Sequence, residues 1–459
     1  MFFPWGSHNK KSNMFRRQHS MMKHRVYYLF VIAAVLSYLV GTLAGAQSLK
    51  VGSLKKIRLK TYIAGGLEWK GESAQNTNWN KICETPDGKI WFCGGDHWGT
   101  DRHGDPDRYE RLWGFGNTAI SVYDPRTDRA TVKFELDRAS AIYSNAETPG
   151  HGKIHSNIQH DSRGNLYMAG YLGSSYDHEY TQAYYPKSYA GGAVIKYDPN
   201  TGDVDYYGIP CPQSAVVGLY YDEKRNIVNG ITVSRAKFWR IKLATMELNQ
   251  YESVARMTRL VDRVREMIMD YDGYCYFAND LGGLTRFDPD TEVFSDIDIV
   301  LPGEKMDFRA SVVSKKNVIY GISTDGFVWS YDTKSGKLDN YGHVLGLPDK
   351  PHYTPNIALD ESWDRLYFLA GNHGGPVYED ALEVITILDL KTRKFYWVGT
   401  VEDVEGCFGA LCASDHTVYF SCFGQNRTGN TVEKGRNGRP ITRPFLARYD
   451  PPKNLDELQ

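Results

Sequence analysis

Histidine, tyrosine and arginine residues recur where predicted strands begin or end, and these residue types suit acid–base chemistry beside a carboxylate. Elimination next to a uronate needs a cation for the carboxylate, a base for the C5 proton and an acid for the leaving oxygen. Arginine matches a carboxylate with its planar fork, and histidine titrates near neutral pH. The candidates are Trp79, Asn80, His97, Lys153, His155, Tyr171, Tyr176, His178, Arg235, Arg265, Arg309, His352, Tyr353 and His373.

Two other kinds of catalysis have weaker support. A glycosidase needs two carboxyl groups that face each other across the scissile bond. The best pair is Asp280 and Asp325, and this pair lies away from most of the other candidates. No G-x-S-x-G sequence is present, and no serine stands out with a partner histidine, so an acyl-transfer triad is not indicated.

A repeat of about 45 residues positions these candidates. In each copy a short apolar strand runs into a turn, usually at an aspartate, and such a repeat of four short strands is typical of a β-propeller. The seven copies end at Tyr123-Asp124-Pro125, Tyr197-Asp198-Pro199, Ile241-Lys242-Leu243, Phe287-Asp288-Pro289, Tyr331-Asp332-Thr333, Leu388-Asp389-Leu390 and Tyr449-Asp450-Pro451. The sequence therefore predicts an all-β, seven-bladed β-propeller between about residues 78 and 450.

Each blade is predicted to contain strands A to D, with strand A innermost. The last blade lacks a clear strand D, and residues 55–63 are strand-like. We expect this N-terminal segment to complete the last blade, because closure of the ring removes an exposed sheet edge. Residues 47–459 are thus predicted to form a single propeller domain.

Four long insertions fall at equivalent places. The loops between strands B and C are long in blades 1, 2, 6 and 7, which are neighbours around a closed ring, and short in blades 3, 4 and 5. Such loops predict a wall on one sector of one face, which suits an extended ligand or a docking protein. We assign substrate binding at this mouth to a set of eight residues: Trp79, Asn80, His97, Arg265, Arg309, His352, Tyr353 and His373.

Residues 1–46 are predicted to be a leader. A basic stretch precedes an apolar run over residues 26–46, which ends in Ala44-Gly45-Ala46. This order is typical of a secretory signal peptide, and an uncleaved membrane anchor is the alternative. Either interpretation predicts a secreted, periplasmic or cell-surface protein.

The chain has a net charge of −1, which does not favour a nucleic-acid partner. Seven cysteines allow one or two disulfides or buried free thiols.

One segment resembles a known family. Lys153-Ile154-His155-Ser156, followed by Asp161-Ser162-Arg163-Gly164-Asn165-Leu166-Tyr167, resembles the second blade of secreted seven-bladed polysaccharide lyases. Ulvan lyases are the most similar, and oligogalacturonate lyases resemble the chain in architecture. The resemblance implies a site of two histidines, a tyrosine and an arginine, which His155, His178 and Arg235 match by place. Val216 and Val217 stand where the family has its tyrosine, so Tyr171, Tyr176 and Tyr189 are the alternatives.

The sequence as a whole predicts an exported lyase that cleaves an acidic polysaccharide such as ulvan by β-elimination. The catalytic set is His155, His178, Arg235, Tyr171 and Tyr176. A non-catalytic propeller that binds glycans or protein is the alternative, and a small-molecule lyase like the streptogramin lyases fits the long wall less well. No cofactor is expected. The likeness to oligogalacturonate lyases, which use manganese, leaves a metal at His97, His155 and His373 as an alternative.

The expected partner is an acidic polysaccharide bound by a monomer, and a membrane is expected only if the leader is retained.

Overall fold

The structure is a computed structural model. It describes residues 54–64, 82–95, 118–140, 151–171, 189–233, 237–251, 266–304, 307–350, 352–371, 383–402, 404–425, 427–428, 431–432 and 442–458. The predicted leader lies outside these residues. Within them, no helix has the length and apolar character that crossing a bilayer requires.

The described strands form seven sheets of four or five strands, which we number as blades along the chain, and within each blade its own strands run antiparallel. Two short strands come first, β1 (Lys56–Ile57) and β2 (Lys60–Tyr62). Blade 1 contains β3 (Cys83–Glu84), β4 (Ile90–Cys93), β5 (Ala119–Asp124) and β6 (Arg129–Glu135). Blade 2 contains β7 (Gln159–His160), β8 (Leu166–Ala169), β9 (Val194–Tyr197) and β10 (Val204–Tyr206). Blade 3 contains β11 (Val216–Asp222), β12 (Ile227–Thr232), β13 (Phe238–Lys242) and β14 (Glu247–Tyr251).

The remaining blades repeat this order. Blade 4 contains β15 (Ile268–Met269), β16 (Cys275–Ala278), β17 (Leu284–Phe287) and β18 (Phe294–Ile297). Blade 5 contains β19 (Phe308–Val313), β20 (Val318–Ser323), β21 (Phe327–Asp332) and β22 (Leu338–His343). Blade 6 contains β23 (Ala358–Asp360), β24 (Arg365–Gly371), β25 (Glu383–Asp389) and β26 (Lys394–Val401). Blade 7 contains β27 (Val404–Cys412), β28 (Val418–Gln425) and β31 (Thr442–Tyr449).

Few other elements are present in the described part of the chain. The strands β29 (Arg427–Thr428) and β30 (Thr431–Val432) pair with each other between β28 and β31. A helix α1 (Leu136–Ser140) follows blade 1, and a 3₁₀ helix (Leu455–Leu458) follows blade 7. The described part of the chain is therefore almost entirely β.

Apolar contacts between the blades close the ring. Seven buried clusters join neighbouring blades, and one of them contains both Phe92 of blade 1 and Tyr419 of blade 7. Trp91, Trp239 and Trp329 are buried within these contacts, and each large apolar side chain contributes on the order of 2–3 kcal/mol when removed from water. The predicted fold class is confirmed: the chain forms a seven-bladed β-propeller.

The aspartates of the repeat stabilise the turn between strands C and D. The Asp332 carboxylate accepts hydrogen bonds from the backbone N–H groups of Lys334 and Ser335 at 2.9 and 3.1 Å. These bonds lower the pKa of Asp332 below its usual value. Four residues beyond the aspartate position of the repeat, which is Lys242 in blade 3, the chain adopts a positive φ in six blades, at Asp128, Gly202, Met246, Glu292, Gly336 and Arg393. The repeated aspartate is therefore a turn residue.

The turns between strands A and B lie on the same face as the turns between strands C and D, and they form a belt there. In the described residues, hydrogen bonds join these turns in six of the seven neighbouring blade pairs. Ser414 of blade 7 donates to Glu84 of blade 1 from its backbone N at 2.9 Å and from Oγ at 2.7 Å, so the belt runs across the junction of the first and last blades.

The N-terminal strands add to the last two blades. β1 pairs in parallel with β26 of blade 6, and β2 pairs antiparallel with β31 as the fourth strand of blade 7. Lys60 and Tyr62 of β2 both donate to the Asp128 carboxylate of blade 1, at 2.6 and 2.8 Å. The segment thus connects blade 7 to blade 1.

Blade 2 departs from the predicted pattern. The sequence predicts an inner strand over residues 154–160, but only Gln159–His160 forms a ladder. Before this ladder in the chain, Lys153 forms an isolated bridge with Tyr171. Between Lys153 and the ladder, the Ser156 hydroxyl donates to the carbonyls of Asn157 and Ala169 at 3.2 and 3.4 Å. A serine that bonds backbone groups in this way replaces regular ladder bonds.

Candidate functional site

The candidate site residues that the structure describes lie on one face of the ring. In each antiparallel blade the beginning of strand A lies beside the end of strand B, where the loop to strand C begins. Lys153 pairs with Tyr171 in blade 2, and Tyr353 pairs with Gly371 in blade 6. In blade 5 the beginning of β19 pairs with the end of β20, which places Arg309 at the same level. We call this surface the loop face.

Three side chains of blade 2 form the first cluster. The rings of His155 and Tyr171 lie 5.1 Å apart, centroid to centroid. The Lys153 ammonium lies 4.7 Å from the centroid of the Tyr171 ring. Lys153 and Tyr171 are each only 2% exposed, whereas His155 is half-buried. The structure thus brings together two predicted catalytic residues, His155 and Tyr171, and adds a buried amine.

Neighbouring backbone fixes this cluster in place. A Cβ on Gly95 of blade 1 would lie 2.7 Å from the Lys153 Cβ, so only a glycine allows the two blades to approach so closely here. A Cβ on Gly170 would likewise meet the His151 ring at 2.4 Å. His151 is fully buried, and burial lowers its pKa to about 4. It is therefore a neutral packing residue at pH 7.

A row of one cation and three aromatic rings crosses blades 5, 6 and 7. The Arg309 guanidinium stacks 4.8 Å from the centroid of the Tyr353 ring, and its Nη2 donates to the Tyr353 hydroxyl. The Tyr353 ring lies 6.3 Å from Phe408, which stacks on Phe423 at 5.8 Å with an interplanar angle of 12°. Arg309 and Tyr353 are half-buried, whereas the two phenylalanines are buried. We call these four residues the aromatic row.

His352 has a different environment from its neighbour Tyr353. Its ring lies 4.9 Å from the ring of His343, and its Nε2 lies 2.8 Å from the Thr354 hydroxyl. His352 is 9% exposed, and a Cβ on Gly326 would meet its ring at 2.5 Å. Burial lowers the pKa of His343 to about 4, which the nearby Asp325 opposes in part. His352 therefore packs between blades 5 and 6 beneath the aromatic row.

Sequence analysis did not identify Glu383, the first residue of β25. It is 2% exposed, and a Cβ on Gly371 would lie 2.2 Å from its carboxylate. Its Oε2 is buried with no hydrogen-bond partner among the described residues, and burial raises the pKa of this carboxyl well above its usual value, with a smaller contribution from Cys407. A glutamate at the start of the apolar run Val384-Ile385-Thr386-Ile387 is the sequence signal that marks it.

The other proposed residues lie outside the described part of the chain. They are Trp79, Asn80, His97, Tyr176, His178, Arg235, Arg265 and His373.

Val216 and Val217, which occupy the place of the family tyrosine, are buried in two different clusters between blades, so both are core residues. Tyr189 is 3% exposed and packs with Tyr171. Among the described residues, no group of three or more histidine, cysteine, aspartate or glutamate side chains is placed to hold a metal ion.

Fold and site together define a seven-bladed β-propeller with two cation–aromatic clusters on its loop face. No protein-family model matches the chain, and no curated protein matches it. Several solved structures share the fold. An extracellular domain of a one-component system of B. thetaiotaomicron, BT4673, is 11% identical with a TM-score of 0.50; the alignment covers 86% of this chain and 40% of that one. The chain thus spans less than half of that protein's length.

Two WD40 propellers give the same level of similarity. The WD40 repeats of RRP9 are 10% identical, with a TM-score of 0.50 and coverage of 87% of this chain and 100% of that one. The U3-55K protein is also 10% identical, with a TM-score of 0.50, coverage of 85% of this chain and 98% of that one. At this identity the similarity establishes the fold alone.

Proposed function

We propose that this protein is an extracellular binding propeller that holds an acidic glycan on its loop face. The observation that carries the proposal is the pairing of Arg309 with Tyr353 at the half-buried end of the aromatic row. An aromatic ring offers an apolar face to a sugar, and a guanidinium offers a planar fork to a carboxylate or sulfate. The two groups together match an acidic sugar better than a neutral one.

Rigidity of the pair supports this role. The guanidinium is fixed by its stacking on Tyr353, and Phe408 lies edge-on to the same ring at 6.3 Å. Side chains that are ordered before binding lose less entropy when the ligand arrives. An exported location, proposed from the leader, agrees with the similarity to an extracellular domain of a one-component system.

Affinity electrophoresis tests the proposal. Wild-type protein should be retarded in gels that contain an acidic polysaccharide, such as ulvan or pectin, and should migrate normally in gels with a neutral one. The Arg309→Ala variant should lose most of the retardation. Arg393→Ala is a matched control, because Arg393 stacks 4.5 Å from the Tyr341 ring in a turn on the opposite face. Equal retardation of wild type and Arg309→Ala in every gel would reject this binding site.

A second candidate function is β-elimination on the same polysaccharide. The blade 2 cluster favours it, because an imidazole, a phenol and an ammonium lie together in His155, Tyr171 and Lys153. The Lys153 ammonium stabilises negative charge on Tyr171 or on the substrate, and His155 moves a proton. His178, Tyr176 and Arg235 would complete this machinery, with Arg235 on the uronate carboxylate.

The two candidates give different results in one assay. A lyase incubated with ulvan, pectin or a glycosaminoglycan releases an unsaturated product that absorbs in the near ultraviolet. Absorbance that is lost in His155→Ala, while retardation in the gel remains, would support the lyase. Retardation without any absorbance would support the binding propeller alone.

A further inference from the structure

All seven cysteines lie within the described residues, and one pair differs from the others in its placement. Cys407 on β27 and Cys422 on β28 are directly opposite each other in the antiparallel ladder. Side chains of opposite residues point to the same side of a sheet. Cα atoms of such pairs are about 4.5–5.5 Å apart, and disulfides span about 4.4–6.8 Å between Cα atoms. The backbone of blade 7 therefore already has the spacing that a disulfide needs.

Both thiols are free and buried in the structure, and they project from the same side of the ladder. The Cys407 thiol donates to the Gly409 carbonyl at 3.4 Å. Both residues belong to the apolar cluster between blades 6 and 7, at 2% and 0% exposure. A bond between the two sulfurs would therefore lie inside this cluster, away from water.

In the described ladders the other cysteines do not face a cysteine. In the ladders Cys83 faces Trp91, Cys93 faces Ile120 and Cys412 faces Val418. Cys275 faces Met269 and Phe287 on its two sides. Cys211 lies between β10 and β11, buried in the cluster between blades 2 and 3. Cys83 and Cys93 lie on neighbouring strands of blade 1, and their ladder partners place them in separate positions.

We propose that Cys407 and Cys422 form a disulfide that links β27 to β28 in the exported protein. The oxidant is a disulfide, either a small molecule or a thiol oxidoreductase. A thiolate of one cysteine attacks the oxidant and forms a mixed disulfide, and one oxidant thiol leaves. The second cysteine then attacks the mixed disulfide and releases the other thiol, so two electrons and two protons pass to the oxidant.

Burial determines when this bond forms. Burial, the contact with Cys407 and the nearby Glu383 carboxyl raise the pKa of Cys422 well above its usual value. A thiol that stays protonated is a poor nucleophile. We therefore expect the bond to form during folding, before blade 7 closes over the two thiols.

Peptide mapping of wild-type protein tests the proposal. The denatured protein is refolded in oxidised and reduced glutathione, denatured again, and alkylated with N-ethylmaleimide before digestion. The expected result is one linked peptide pair that contains Cys407 and Cys422, with Cys211 and Cys275 alkylated. Alkylation of both Cys407 and Cys422, or a link from either to another cysteine, would overturn the proposal.

Two variants distinguish the effect of the disulfide on stability from the effect of side-chain packing. Reductant added during refolding should lower the Tm of wild type and of the control Cys412→Ser. It should leave the Tm of Cys407→Ser unchanged, because that variant has no bond to lose. A shift of equal size in Cys407→Ser would assign the effect to a different bond and would also count against the proposal.

Discussion

Arg309 of blade 5 and Tyr353 of blade 6 are joined at two points, since the guanidinium stacks on the ring at 4.8 Å while its Nη2 donates to the hydroxyl. Two contacts on one ring restrict both side chains. The pair also joins neighbouring blades on the face where four loops between strands B and C are long in the sequence. This relationship is the basis of the proposed glycan site.

The hydroxyl and the ring of Tyr353 are expected to contribute separately. Tyr353→Phe keeps the ring and the stacking but removes the hydroxyl that orients Arg309, so affinity for an acidic oligosaccharide should fall about fivefold, as expected for loss of about 1 kcal/mol. Tyr353→Ala removes the stacking as well and should cost about a further tenfold, or roughly 1–2 kcal/mol. Isothermal titration calorimetry measures both changes. Equal affinity of the Phe and Ala variants would contradict a role for the ring.

Two buried histidines make stability depend on pH. The pKa values of His151 and His343 are both held near 4 by burial, below about 6.5 in the unfolded chain. The unfolded state therefore binds protons first, and stability that is complete above pH 6.5 is lost as the pH falls toward 4. At pH 5 each histidine costs about 2 kcal/mol.

Urea unfolding at pH 7 and pH 5 measures this loss. His343→Gln should lose about half as much stability between the two values as wild type does. A variant with an undiminished loss would show that His343 is not buried in its neutral form. The wild-type profile at each pH serves as the reference, because the substitution itself changes packing.

Glu383 should have the opposite dependence on pH. Burial raises the pKa of its carboxyl, so its neutral form is present in the folded state and stability is full below about pH 4.5. As the pH rises the unfolded chain ionises first, and stability is lost. Glu383→Gln keeps the shape without the charge and should be more stable than wild type at pH 8. Lower stability of the variant at pH 8 than at pH 4, each relative to wild type, would contradict this account.

The contact that joins the first and last blades should contribute measurably to stability. Glu84 accepts two hydrogen bonds from Ser414, and Glu84→Ala should lower the free energy of unfolding by about 1–2 kcal/mol. Glu247 pairs with Lys242 within blade 3 on an exposed outer strand, so Glu247→Ala should cost less than about 0.5 kcal/mol. Calorimetric Tm values rank the two. A Tm for Glu84→Ala at or above that of Glu247→Ala would contradict the prediction.

The architecture could be predicted from the sequence because the repeat contains the residues that form its turns. In five of the seven copies an aspartate accepts backbone hydrogen bonds in the turn between strands C and D, as Asp332 does, and the apolar strand before it is buried between blades. Both signals are local. The short inner strand of blade 2 could not be predicted, because it depends on Ser156 bonding the Ala169 carbonyl thirteen residues away.

The site was harder to predict because its contacts cross blades. From their positions in the sequence, His155 was predicted to lie near Tyr171, and Arg309 and Tyr353 were each predicted as site residues with no link between them. That the latter two bond each other depends on how blades 5 and 6 pack. Position also grouped His352 with Tyr353, although successive strand residues point in opposite directions and His352 turns toward His343.

The most direct test of the account is a thermodynamic cycle between Arg309 and the ligand carboxylate. Calorimetry compares wild type and Arg309→Ala, each with an acidic oligosaccharide and with its carboxyl-reduced form. The account predicts that carboxyl reduction weakens binding to wild type at least about tenfold, or roughly 1.4 kcal/mol, and that it barely changes binding to Arg309→Ala. An equal loss in both proteins would show that Arg309 does not bind the carboxylate, and the proposed site would be wrong.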